Sequence, residues 1–152
     1  MEYFTTEPMT EYQVLEAASC ILANRFANGG AFTSPRATGD FVRTKLAHLE
    51  YEVFAVLFLD NQHRLIRYEE MFRGTIDGAA VYPREVVKEA LRANAAAVIL
   101  AHNHPSGDVT PSQSDRAITE RLVDALSLVD IRVLDHLIVG REVSSLAELG
   151  YL

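Results

Sequence analysis

One cysteine, Cys20, in 152 residues leaves no partner for an internal disulfide, so the fold must rest on packing, as expected in a reducing compartment. No stretch approaches the roughly eighteen apolar residues of a membrane span, and the N-terminus lacks a basic-then-apolar signal pattern. The cytoplasm is therefore the expected location, with no membrane partner. Basic side chains are scarce, 14 against 21 acidic, for a formal net charge of −7. Proteins that live on phosphate backbones usually present a basic surface, so direct nucleic-acid binding is disfavoured. Internal repeats, low-complexity tracts and linker-like segments are also missing.

What is present is an ordinary soluble composition, 49% hydrophobic and 23% charged, in a chain long enough to bury one core. Apolar residues at Val14, Leu15, Ala18, Ile21 and Leu22 predict a helix over 11–26, stopped by Asn28-Gly29-Gly30, with Cys20 as a small buried residue. A second helix is expected over 38–49. The run Val53–Leu59 (VFAVLFL) reads as a buried strand, 64–72 as its returning partner, with Gly74 and Gly78 bracketing a turn. Pro83 opens a helix reaching Asn94, and Ala97–Ala101 (AVILA) is a second buried strand. A helix over 111–128 follows, then a strand over 131–139 that is open to a break near Asp135-His136. Residues 143–152 form a short helix or an edge segment. The expectation is an α/β domain with a mixed sheet flanked by helices.

AVILA delivers the chain to His102-Asn103-His104; seven residues then lead to Ser112 and two more to Asp115. Residues two apart on a strand share a side, so both imidazoles face one point while Asn103 faces away. Thr110 is the expected N-cap of the next helix, with Pro111 first in the helix and Gln113 completing a T-x-x-Q capping box. Ser112 and Asp115 then share a face, and the loop can bring Asp115 to the histidines. His102, His104 and Asp115 are the candidate zinc ligands, because imidazole and carboxylate suit zinc and three protein ligands leave a position for water. Ser112 is the candidate donor to the metal-bound water or a developing oxyanion. Hydrolysis also needs a proton carrier, and Glu52, at the head of the first buried strand, is one candidate; Glu70 on the second strand is the other. His48 and His63 read as surface residues. Asp135-His136 reads as packing or as an imidazole oriented by its neighbouring carboxylate.

The motif, with its longer context AHNHPSGDVTPSQSD, resembles that of the RadC family, in the JAB/MPN superfamily of metalloproteases with the JAMM pattern. The segments FRGTIDGAAVYPREVVKEAL and LDHLIVG are also similar to RadC-like proteins, and the likeness spans roughly residues 40–150. It implies a single-domain, cytidine-deaminase-like α/β fold with a curved mixed sheet: an N-terminal helical segment over 1–37, then the metallohydrolase domain over 38–152. It further implies zinc as cofactor, Glu52 rather than Glu70 as the catalytic carboxylate, and a peptide or protein substrate cut at an amide or isopeptide bond. Asn103 between the histidines is usual for RadC-like members, whereas isopeptidases often carry Ser or Thr there. The chain resembles a short form without the N-terminal helix-hairpin-helix region of longer relatives. The alternative is a non-proteolytic accessory protein in DNA repair, recombination or mobile-element biology. A deaminase ranks last, since its His-x-Glu and Cys-x-x-Cys pattern is absent.

Overall fold

Two strands with no exposed position must be covered on both faces, and that requirement organises the molecule. Strand β1 (Val53–Leu59) and strand β3 (Ala97–Asn103) are buried at every residue. They lie side by side, antiparallel, in the middle of a five-stranded sheet ordered β2-β1-β3-β4-β5. Strand β2 (Leu65–Arg73) forms an antiparallel hairpin with β1, and β4 (Arg132–Val139) runs parallel to β3. The short β5 (Val143–Ser145) pairs antiparallel with β4 at the opposite edge. The computed structural model describes residues 2–27, 32, 35–74 and 81–152. The turns expected at Asn28-Gly29-Gly30 and at Gly78 lie outside the described residues.

Helices cover the two faces in pairs. On one face α1 (Glu11–Ala27) and α2 (Pro35–Leu46) meet the odd-numbered residues of the central strands. Phe41, Val42 and Leu46 pack there against Val53, Ala55, Leu57, Ile99 and Ala101. On the other face lie α3 (Pro83–Arg92) and α4 (Gln113–Ser127). Val86, Ala90, Ile118, Leu122 and Leu126 close over Phe54, Val56, Phe58, Val98 and Leu100. Each buried Val, Leu, Ile or Phe among them contributes roughly 1.5–3 kcal/mol by leaving water. The result is a single α/β domain with a mixed sheet between two helical layers.

Several details differ from the sequence expectations. Cys20 is exposed rather than buried, because α1 packs by one face and its buried residue is the neighbouring Ser19. Val14 is likewise exposed. The second helix begins and ends three residues earlier than the apolar stripe suggested, at Pro35 and Leu46. Strand β4 is continuous, but its pairing with β3 slips between Val98 and Ile99, where Val133 is opposite the first and Asp135 opposite the second. Leu134 is therefore an extra residue, a bulge immediately before Asp135-His136.

Candidate metal centre

The centre forms where β3 leaves the sheet, at its carboxyl end, and where α4 returns beside it. Alternation along β3 sends His102 and His104 to the α3/α4 face and Asn103 to the other. His102 is fully buried, while the His104 ring is partly open, its side chain 15% exposed. Helix α4 supplies Asp115, which is 1% exposed.

The helix start differs from the expected one. Ser112, not Thr110, is the N-cap: its Oγ accepts the Asp115 N–H at 3.0 Å, and Asp115 Oδ2 accepts the Ser112 N–H at 2.7 Å. Thr110 stays in the loop, where its N–H donates to Asp108 Oδ1 at 2.9 Å. Both S-x-x-D and T-x-x-Q satisfy the chemistry of a capping box. The one formed is the one that turns Asp115 toward the histidines.

His102 Nε2 and His104 Nε2 are 2.9 Å apart, Asp115 Oδ1 is 3.1 Å from the former, and Asp115 Oδ2 is 3.4 Å from the latter. Around a tetrahedral zinc ion, ligand atoms at its usual bond lengths are about 3.3 Å apart, so the spacing fits one small cation. The chemistry of the donor set agrees. His104 Nδ1 lies 2.7 Å from the main-chain carbonyl of Asp108. A carbonyl only accepts, so Nδ1 carries the ring proton of the neutral imidazole and Nε2 turns a lone pair inward.

The electrostatics point the same way. Burial pushes the Asp115 carboxyl up, but the adjoining His102 and His104 rings, which favour the carboxylate whenever they carry a shared positive charge, and the Ser112 N–H outweigh it and hold the carboxyl well below its ordinary range. In return the Asp115 carboxylate raises the pKa of His104 against the effect of burial, aided by the Asp108 carbonyl and the charge of Glu52. The cluster thus attracts one positive charge, a proton or a metal ion.

Glu52 comes to the same place. In the β1–β3 ladder Phe54 is opposite His102, and continuing that register sets Glu52 across from His104. Its Oε2 is buried and has no hydrogen-bond partner among the described residues. Glu70 is opposite Ala55 and beside Tyr68, whose side chain packs on the α1/α2 face. Burial, then the Glu70 charge, raise the pKa of that phenol far above its ordinary value. Of the two carboxylates, the structure brings Glu52 to the cluster and leaves Glu70 on the opposite face.

Asn103 does more than face away. Its Oδ1 accepts the Val53 N–H at 2.7 Å and its Nδ2 donates to the Tyr51 carbonyl at 2.9 Å, so one buried amide grips the main chain on both sides of Glu52. The Gly74 N–H holds the Glu52 carbonyl from the β2 side at 2.9 Å. Sequence reading missed this, since period-two alternation only turned Asn103 away from the histidines and did not give it a partner strand.

His136 was only half anticipated. It is buried against His102, with His136 Nε2 2.8 Å from His102 Nδ1. The neighbouring carboxylate does not orient its ring. Asp135 Oδ1 accepts main-chain N–H groups of His136 and Ala147, and Oδ2 accepts the Ser145 hydroxyl. Asp135 therefore fastens the C-terminal segment rather than the metal centre. His48 and His63 lie on turns, away from the cluster.

A model of the RadC-like JAB domain matches residues 32–151. The chain belongs to the RadC family. A UPF0758 protein of Vibrio cholerae is 61% identical over 150 residues, covering 99% of this chain and 95% of that protein. UPF0758 proteins of Thioalkalivibrio sulfidiphilus and Cellvibrio japonicus are 60% and 62% identical over 91% of the chain, which spans 62% of the length of each. Five strands between helical layers are consistent with the JAB/MPN fold expected of RadC-like domains. None of the described helices is long and apolar enough to cross a membrane.

Proposed function

We propose that the chain is a zinc-dependent hydrolase of the JAMM type, cutting an amide bond, peptide or isopeptide, in a peptide or protein substrate. The observation that carries this reading is the meeting of His102, His104 and Asp115 around one point within reach of the charge of Glu52, whose buried Oε2 is unpaired among the described residues. A zinc ion held by those three residues would lower the pKa of the water it binds and polarise a carbonyl oxygen. Glu52 accepts the proton of the attacking water and returns it to the leaving amine. Leaving a buried carboxylate oxygen unpaired is costly, and a water proton relieves that cost. Ser112 accepts the Asp115 N–H through its oxygen, which leaves its own hydrogen to donate to the oxygen where negative charge develops. The Ser112–Asp115 box therefore holds the carboxylate and the hydroxyl in one fixed relation.

The test is a screen of peptide and isopeptide substrates with metal analysis on wild type and Glu52→Gln. Wild type should carry about one zinc per chain and cleave, whereas Glu52→Gln should keep the metal and lose cleavage. A Glu52→Gln protein as active as wild type removes Glu52 from the reaction. Zinc retained by both with no cleavage by either favours the accessory role over hydrolysis.

A further inference from the structure

His136 and Thr119, side chains that the proposed reaction does not use, are linked to the metal centre by an unbroken chain of buried hydrogen bonds. His102 Nδ1 meets His136 Nε2 at 2.8 Å, His136 Nδ1 meets Thr119 Oγ1 at 2.6 Å, and Thr119 Oγ1 donates to the Asp115 carbonyl at 2.6 Å. His102, His136 and Thr119 are each 1% exposed or less.

We propose that Thr119 and His136 are positioning residues that fix which nitrogen of His102 carries its proton, so that Nε2 meets the ion as a bare lone pair. The direction of every bond follows from the far end. The Asp115 carbonyl can only accept, so the Thr119 hydroxyl spends its hydrogen there. Thr119 Oγ1 must then accept from His136, which places the His136 proton on Nδ1 and a lone pair on Nε2. That lone pair accepts from His102 Nδ1, which leaves His102 Nε2 unprotonated and facing His104 and Asp115. With neutral rings, reversing any one bond of the chain sets two acceptors, or two donors, against each other without water to relieve them. The bare Nε2 that results faces His104 and Asp115, where a shared cation or proton offsets the converging lone pairs. The chain begins at the main chain of Asp115 and ends on the ring of His102, so it also ties two of the three candidate ligands together behind the ion. Histidine ligands are commonly oriented in this way through their second nitrogen.

The bulge at Leu134 makes this possible. Without it Asp135 would stand opposite Leu100, on the α3/α4 face; with it His136 does. One extra residue in β4 thus exchanges a carboxylate for an imidazole behind His102.

This inference rests on the metal-site reading, and its test separates the two. Long-range proton–nitrogen NMR on metal-free protein at mildly alkaline pH reads the ring tautomers, and competition with a chromophoric chelator reads zinc affinity. His102 in wild type should show a protonated Nδ1 and a bare Nε2. Thr119→Val should mix the His102 tautomers and weaken zinc binding about tenfold, and Thr119→Ser should restore both. His136→Phe should weaken binding about tenfold or more; if it fails to fold, the two Thr119 variants and the wild-type tautomer decide alone. A protonated Nε2 on His102 in wild type overturns the proposal. So does Thr119→Val that loses thermal stability while tautomer and affinity stay unchanged, or Thr119→Ser that restores neither. Wild type that binds no zinc but shows the stated tautomer sinks the metal reading and leaves the polarity of the chain standing.

Discussion

The two histidines of the centre are two residues apart, yet they are supported in opposite ways. His102 belongs to the sheet: its ring is stacked on Phe54, 6.2 Å between centroids, and backed by His136 from β4 and Thr119 from α4. His104 belongs to the loop: its ring is partly open and anchored by the Asp108 carbonyl, four residues on. One ligand is held by contacts distant in sequence, the other by a local turn. A centre built this way has a rigid wall and an adjustable one. Damage to the wall should cost fold stability as well as metal, and damage to the loop should cost metal almost alone.

Replacing each histidine by alanine tests that division at full strength. Both variants should lose zinc binding at micromolar metal, but only His102→Ala should also lower unfolding free energy, by about 1–3 kcal/mol, since it leaves the buried His136 Nε2 without its partner. Equal losses of stability in denaturant titrations would erase the distinction. Asn103 lies on the rigid side, so Asn103→Ala should cost about 1–3 kcal/mol by freeing the Val53 N–H and Tyr51 carbonyl. Hydrogen exchange at Val53 should quicken in that variant.

The pH dependence sharpens the loop side. Because Asp115 raises the pKa of His104, a proton competes with the metal up to a higher pH than for an ordinary histidine. Zinc affinity should weaken as pH falls through that raised value, about tenfold per unit below it, and level off above. In metal-free protein the sign reverses: the proton on His104 stabilises the fold below the unfolded pKa, and that contribution is lost as pH rises through the folded one. Affinity measured across neutral pH checks the first statement and thermal unfolding the second. The smallest effect is expected at Gly107, with φ of 87° in the left-handed region and Arg141 Cγ 3.0 Å from where a Cβ would stand. Gly107→Ala should cost about 1 kcal/mol and weaken zinc a few-fold by disturbing the His104 loop.

Much of the loop side was legible in the sequence, and little of the wall. His104, Ser112 and Asp115, and His102 alone of the wall, stand out because strand alternation and the helical i, i+3 relation are local rules. The N-cap was misplaced because Thr110 and Ser112 both satisfy local capping chemistry, and only the position of the histidines selects Ser112. Glu52 could not be separated from Glu70 by periodicity, since its place depends on the register of β1 against β3. The Asp135-His136 pair was read only in part, because a bulge decides which residue faces the centre and the sequence offered no more than a strand open to a break there. Thr119 was overlooked, although it is four residues beyond Asp115 on the same helix face and its hydroxyl binds the Asp115 carbonyl. Cys20 was misplaced because an apolar stripe does not reveal how little of α1 the sheet covers.

Calorimetric titration of metal-free protein with zinc, on wild type and Asp115→Ala, addresses the central claim most directly. Wild type should bind about one ion per chain with proton release, and Asp115→Ala should bind none. Wild type without binding, or Asp115→Ala binding as wild type does, would contradict a centre made by His102, His104 and Asp115.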